Sequence, residues 1–267
     1  MNAEQLLLVL PGQTQSAGGP ELTIHNWTAL LEQFAAQDGR EVLLGGAEPL
    51  AFPGFWVLAR KALKLHIPRV TVYLSGSLLE PWVMRELVES GVHLLVALDS
   101  VQPDAHDVLH GTGSHARAMA ATETFLKQGL QHRVGVLATA TRLSKDDQPM
   151  LAAWAGGKGL QRFLWTSVPD GGWPSPSLRA LRLSPEEKTA LALQMEGVAR
   201  GLGSSLYVGP LDILEDSALS GAGSRLVRVN ARGEACWGFS GEGGQLGNVR
   251  YTLLKVLIDR MAQAAGD

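Results

Sequence analysis

The sequence predicts an α/β fold built on parallel strands, and two observations lead to this prediction. Short apolar runs alternate along the chain with amphipathic stretches of helical period. The apolar runs are nearly continuous, which indicates strands buried on both faces by covering helices. This pattern fits a full or partial β/α barrel as well as a doubly wound sheet.

Six strands and five helices are predicted in strict alternation up to residue 168. The apolar runs give the strands, and stretches with apolar residues on one helical face give the helices. In chain order, the strands are 5–10, 41–45, 69–74, 92–98, 133–139 and 161–168, and the helices between them are 27–36, 55–65, 80–90, 116–129 and 148–159.

A further helix is marked after residue 183 by its capping residues. Ser184 is a good N-cap, Pro185 suits the first helical position, and Glu187 completes a capping box. Gly201 and Gly203 offer a stop for this helix. The preceding segment 169–183 is rich in Pro, Gly and Ser, and it is predicted to be either a binding loop or a simple connector.

The rhythm of the sequence changes near residue 210. Residues 225–239 predict a hairpin that turns at Ala231 to Gly233, and 251–265 predict a closing helix. We therefore expect two domains, a β/α domain at 1–210 and a small C-terminal appendage at 211–267.

Composition excludes several classes of partner. The net charge of -3 comes from 26 acids and 23 Lys and Arg spread along the chain, so no basic block is present for nucleic acid. No apolar segment is long enough to span a bilayer. The N-terminus lacks a basic leader before its short apolar run, so we expect no membrane partner and a cytoplasmic protein.

The segment "EVLLGGAEPL" (41–50) places a carboxylate where a ligand would bind in a parallel α/β fold. Gly45 and Gly46 allow a sharp turn after the strand, Glu48 follows, and Pro49 stiffens the exit. Ligands of such folds bind at the carboxyl ends of the strands. A carboxylate there suits an ammonium group, although a loop acid that caps the next helix is the simpler alternative.

This segment resembles the Gly-Gly-Glu-Pro motif of radical SAM enzymes. "VTVYLSGSLLEP" is similar to the third strand and turn of that family, with Ser75, Gly76 and Ser77 in the turn. "VALDSVQPD" resembles its ribose-contacting segment, and "RLVRVNARGEACWGF" followed by "QLGNV" resembles the SPASM-type extension of peptide-modifying members. The resemblance implies a partial (β/α)6 TIM-like barrel with a C-terminal SPASM-like hairpin and helix. It also implies a vestigial SAM site formed by Gly45, Gly46, Glu48, Ser75, Asp99 and Ser100.

The cysteine motif that defines the resembling family is missing. The family holds a four-iron cluster with three cysteines in the loop after the first strand, and here the corresponding loop, 11–23, contains none. Cys236, in the SPASM-like region, is the single cysteine of the chain. We therefore expect no iron–sulfur cluster, weak or absent SAM binding, and a pseudoenzyme that serves as a binding or assembly partner for a peptide or protein, including an active maturase.

Two other classes of function are also compatible with the sequence. Glu48 and Asp99 are candidate acid–base groups of a cluster-free enzyme that uses the barrel mouth, with SAM as an ordinary ligand. An inert domain that stabilises a homodimer is a third alternative. Trp173, in the loop before the capped helix, is a candidate partner anchor.

A zinc site is the remaining alternative. His106 and His110 have the i, i+4 spacing of zinc ligands, but no acid completes an H-E-x-x-H pattern, so no metal site is predicted.

Overall fold

The computed structural model confirms the alternation of strands and helices. It describes residues 3–11, 20–46, 48–75, 78–168, 179–203, 206–210, 226–238 and 244–264. The strands are β1 Gln5–Val9, β2 Glu41–Gly45, β3 Arg69–Leu74, β4 His93–Ala97, β5 Val134–Ala140, β6 Arg162–Ser167, β7 Tyr207–Pro210, β8 Leu226–Val229, β9 Glu234–Trp237 and β10 Gln245–Asn248. The α-helices are α1 Ile24–Ala35, α2 Phe55–Lys64, α3 Pro81–Ser90, α4 Pro103–His110, α5 Ser114–Lys127, α6 Gln148–Gly157, α7 Pro185–Leu202 and α8 Leu254–Ala264.

Residue contacts divide the chain into two compact units. The first unit comprises Met1–Tyr73, Glu86–His93 and Ile213–Asp267, and the second comprises Leu74–Arg85 and Leu94–Asp212. The first unit thus contains both the start and the end of the chain. The division into 1–210 and 211–267 stays a prediction.

The first unit contains a mixed sheet with strand order β10-β9-β8-β1-β2-β3. β1 is parallel to both neighbours, with Leu7 opposite Leu43 of β2 and Arg228 of β8. Trp27 and Phe34 of α1 are fully buried, so this helix contributes large apolar side chains to the core of the unit. β9 and β10 are antiparallel to their neighbours.

The second unit contains parallel strands in the order β4-β5-β6-β7. Gly135 to Ala140 of β5 pair in continuous register with Arg162 to Ser167 of β6. Phe125 of α5 and Phe163 of β6 are fully buried. The α/β class with mostly parallel strands is therefore confirmed within each unit.

Local sequence signals predicted the elements that carry them. The Ser184 hydroxyl accepts a hydrogen bond from the Glu187 N–H (3.2 Å), and the Glu187 carboxylate accepts one from the Ser184 N–H (2.8 Å), so the predicted capping box is confirmed. The predicted hairpin is also present, with β8 and β9 joined through Gly233 at a φ of 85°.

Three short elements were not predicted. β7 and β10 have four residues each and contain glycine, so they carry no strand period of their own. α4 lies in the polar stretch between the predicted strand 92–98 and the predicted helix 116–129, where no element was predicted. Its available signals were Pro103 at the first helical position and Asp104 in the first turn.

No helix in the described part of the chain is long and apolar enough to cross a membrane.

Candidate functional site

The turn after β2 shows why this position requires glycine. Gly46 has a φ of 124°, and a Cβ built there would lie 2.6 Å from the carbonyl oxygen of Leu10. A side chain would therefore be strained and would collide with the backbone at the end of β1. Gly45 is the last residue of β2. Its carbonyl accepts a hydrogen bond from the N–H of Leu10, the residue that follows β1 (2.9 Å).

Glu48 follows this turn with a φ of -151° and a ψ of 87°, and it is half-buried. Its carbonyl accepts the Ala51 N–H at 3.0 Å, and its side chain makes no cap bond to the 3₁₀ turn Pro49–Ala51. The alternative of a side chain that caps the next element is thus not what the geometry shows. Gly45, Gly46 and Glu48 all belong to the first unit.

The other proposed SAM-site residues lie in the second unit. Ser75 follows β3 and is half-buried, whereas Asp99 and Ser100 follow β4 and are fully buried. The Ser100 hydroxyl donates to the Asp147 carboxylate and accepts the Gln102 N–H (2.8 Å). Ser100 is therefore engaged within the protein.

Asp99 is the centre of a buried polar network. The Thr139 N–H donates to Asp99 Oδ1 at 2.6 Å, and His110 Nε2 lies 2.7 Å from Asp99 Oδ2. His106 Nδ1 lies 3.4 Å from the same oxygen. Side chains of α4 and the backbone of β5 thus hold this carboxylate, and Gln148 Nε2 of α6 donates to the backbone carbonyl of the same residue at 2.7 Å.

These contacts keep Asp99 ionised. Burial by itself would raise the pKa of Asp99, but the contacts with His106 and His110 outweigh it and hold the pKa below its usual value. A general acid at neutral pH needs a raised pKa. The environment of Asp99 therefore argues against a general-acid role for this residue.

His106 is held by the residue Asp99. Its Nδ1 lies 3.1 Å from the Asp99 backbone nitrogen and 3.4 Å from Asp99 Oδ2. The His106 side chain is completely buried, and its Nε2 has no hydrogen-bond partner among the described residues. Burial and then the nearby His106 lower the pKa of His115, whose ring packs edge-on at 5.8 Å.

Asp107 joins α4 to α5. Its carboxylate accepts hydrogen bonds from the N–H groups of Gly113 (2.5 Å) and His115 (2.9 Å) and from the Ser114 hydroxyl (2.9 Å). The hydrogen bonds from His115 and Gly113 lower the pKa of Asp107 from 3.8 to about 2. Asp107 thus supplies the capping acceptor that Gly113, the N-cap of α5, lacks.

Some of the predicted positions fall outside the described residues. These are Trp173, the turn residues Gly76 and Ser77, and most of the loop in which the family carries its cysteines, 12–19. Cys236 is described: it lies on β9, is half-buried, and its thiol pKa is raised, chiefly by burial. The assignments of Trp173 and of the SAM-site residues stay predictions.

The sequence of this chain is similar to parts of several curated proteins. Two curated relatives are GTP 3',8-cyclase of Rhizobium meliloti (strain 1021), 28% identical over 56% of this chain and 44% of that protein, and PqqA peptide cyclase of Gluconobacter oxydans (strain 621H), 27% identical over 80% of this chain and 60% of that protein. The chain thus spans less than half of the first relative and three fifths of the second.

A solved structure, that of Streptococcus suis SuiB, superposes with a TM-score of 0.67 over 88% of this chain and 60% of that one, at 13% identity. This likeness confirms the predicted fold class, a TIM-like α/β fold. The sequence also matches the Radical SAM superfamily over residues 11–149, more than half of its length. The chain belongs to the radical SAM superfamily.

Proposed function

We propose that this chain is a radical SAM-like pseudoenzyme that acts as a binding or assembly partner in peptide or cofactor maturation. The observation that carries the proposal is the cysteine count: the chain has one cysteine, and it lies on β9 rather than in the loop after β1. A [4Fe–4S] cluster is held by several thiolates. The residues present therefore do not fit the cluster, and no radical step is assigned to this chain.

The proposed partner class rests on the names of similar proteins. One relative is a peptide cyclase, another is the mycofactocin maturase MftC of Mycobacterium ulcerans (strain Agy99), and a solved structure of SuiB contains the precursor peptide SuiA. A peptide is thus the partner that this family context favours. β10, at the edge of the first unit's sheet, offers a strand edge to an extended peptide.

The cluster-free enzyme has less support from the geometry. It needs two carboxylates in a ligand pocket, one of them with a raised pKa. Asp99 is instead fully buried with both side-chain oxygens in contact with donors, and its pKa is lowered. No observation on the described residues favours this alternative.

SAM cleavage tests the loss of chemistry. After anaerobic incubation with iron, sulfide, SAM and dithionite, we expect no 5'-deoxyadenosine above a protein-free control. The Gluconobacter relative, treated in parallel, serves as the positive control. Turnover that requires this protein would contradict the proposal.

Ligand-binding measurements test the second part of the proposal, the role as a binding partner. We expect weak or absent SAM binding by calorimetry and the same result for Glu48→Gln, because one carboxylate without the cluster that would chelate SAM gives little affinity. A fluorescein-labelled PqqA peptide is the partner probe, read by anisotropy. Saturable binding supports a peptide partner, and no change up to roughly 100 μM contradicts a partner of this peptide class.

A further inference from the structure

The end of β4 and the helix α4 bring three metal-ligating side chains together in the second unit. Suitable ligand atoms of Asp99, His106 and His110 all lie within 4.8 Å of one another. His106 and His110 occupy one face of α4, with ring centroids 4.6 Å apart and planes inclined by 21°. The third ligand, Asp99, is thus supplied from outside the helix, seven residues before His106.

The spacing of the ligand atoms is close to that of a bound ion. Two ligands of a tetrahedral zinc ion, each about 2.1 Å from the metal, lie about 3.4 Å apart. Asp99 Oδ2 and His106 Nδ1 are separated by this distance, 3.4 Å. Asp99 Oδ2 and His110 Nε2 are 2.7 Å apart and need to separate by a fraction of an ångström. For these two pairs of ligand atoms, metal entry therefore requires only a small side-chain adjustment.

The chemical state of the ligands also suits a metal. Metals bind the neutral imidazole and the ionised carboxylate. His106 Nδ1 lies 3.1 Å from the Asp99 backbone nitrogen, and it would exchange this contact for a bond to the ion. The ion-pair partners of Asp99 in the described segments are histidines and include no Lys or Arg. A divalent cation would compensate this buried negative charge more fully.

The surroundings of the three ligands resemble the outer shell of a metal site. The Thr139 N–H holds Asp99 Oδ1 at 2.6 Å and fixes the carboxylate, so Oδ2 faces the two histidine rings and would exchange its His110 contact for the ion. Gln148 holds the Asp99 carbonyl through Nε2, while its buried Oε1 has no partner within the described residues and is available to a metal-bound water. His110 is 14% exposed, so it gives the set a route to solvent.

We propose that Asp99, His106 and His110 form a binding site for a divalent first-row transition metal, with zinc as the reference ion. Two imidazoles and a carboxylate are nitrogen and oxygen ligands that suit zinc and ferrous iron, and three protein ligands leave a coordination position for water. This site contains no cysteine and stands independently of the proposed function.

Zinc and cobalt binding test the site on the full-length chain. The protein is freed of any histidine tag, stripped with a chelator and titrated with Zn²⁺ by calorimetry and with Co²⁺ by visible absorption. We expect about one equivalent of each ion, visible cobalt bands of a nitrogen and oxygen site, and a higher unfolding temperature with Zn²⁺. A wild-type protein that binds neither ion would overturn the proposal.

Variants locate the bound ion. We expect His110→Gln to lower zinc affinity at least about tenfold, because glutamine can still contact Asp99 but supplies no imidazole ligand. We expect His106→Gln to lower zinc affinity in the same way. If this variant does not fold, the result for His110→Gln, at the more exposed position, decides whether the ion binds here.

The matched control is His132→Gln, at an exposed histidine of the 3₁₀ turn Gln131–Arg133 in the same unit, which should leave affinity unchanged. Equal zinc affinity in His110→Gln and His132→Gln would contradict the assignment.

Discussion

At the scale of single residues, Asp99 shows how a buried carboxylate is kept charged inside this protein. The side chain is fully buried, yet it contacts a backbone N–H and two histidine rings. An ion without such partners would be too costly to bury and would be protonated instead. The same contacts occupy both side-chain oxygens, so a ligand, including the proposed metal ion, would reach Asp99 only by replacing a histidine contact at Oδ2.

Substitution of Gly46 tests whether the turn before Glu48 requires glycine. Gly46→Ala should lower the free energy of unfolding by about 1–3 kcal/mol or more, because alanine is strained at a φ of 124° and its Cβ would meet the Leu10 carbonyl. Urea unfolding followed by circular dichroism measures the change.

Gly197→Ala is the matched control for this substitution. Gly197 lies exposed inside α7 with no atom within 4 Å of a built Cβ. Alanine there should raise stability by about 0.5–1 kcal/mol, because glycine weakens helix interiors. Equal effects of the two substitutions would show that the turn does not require glycine.

At the scale of elements, α4 and α5 are joined by a side chain rather than by their own caps. Gly113 cannot cap α5 with a side chain, and Asp107, the fifth residue of α4, accepts the N–H groups of Gly113 and His115 instead. Negative charge at a helix N-terminus is also favoured by the helix dipole. The packing of this helix pair therefore depends on the ionisation of Asp107.

Acid titration tests this dependence. The pKa of Asp107 is about 2 in the folded protein against 3.8 for the free group, so its contribution is complete above about pH 4 and is lost as the pH falls toward 2. Asp107→Asn should lower the urea midpoint at pH 6 and should lose less stability than the wild type between pH 4 and pH 2.

Asp104→Asn, at an exposed position of the same helix, is the control and should retain the acid sensitivity of the wild type. An Asp107→Asn protein that matches the wild type at every pH would contradict the capping role.

The same elements show what could be predicted from the sequence and what could not. α7 was predicted because Ser184, Pro185 and Glu187 specify its start through local hydrogen bonds. β7 and β10 form through pairing with distant strands, which a four-residue sequence does not reveal. The Glu48 turn was found through its motif, whereas the Asp99 network depends on Thr139, which β5 brings from forty residues away.

At the scale of the whole molecule, the chain belongs to the radical SAM superfamily but lacks the three loop cysteines with which that family holds its cluster. The match to the Radical SAM superfamily covers residues 11–149, which includes the loop where the family carries its cysteines. The chain nevertheless contains a single cysteine, Cys236. Its fold can persist without a cluster because the described strands and helices bury a continuous apolar core within each unit.

The proposed metal site affects how the presence or absence of a cluster must be measured. An ion bound at Asp99, His106 and His110 would register in an iron analysis without any cluster. Acid-labile sulfide is specific to the cluster, because the three-residue site has no sulfur ligand. A sulfide measurement therefore distinguishes an iron–sulfur cluster from iron bound at the proposed metal site.

Anaerobic reconstitution with iron and sulfide tests the central claim most directly, with sulfide and visible absorption measured after desalting. We expect no stoichiometric sulfide and no cluster band in the wild type, and no more in Cys236→Ser. Bound iron without sulfide, lost in His110→Gln, would agree with both proposals. About four sulfides per chain with a cluster spectrum would contradict the pseudoenzyme assignment.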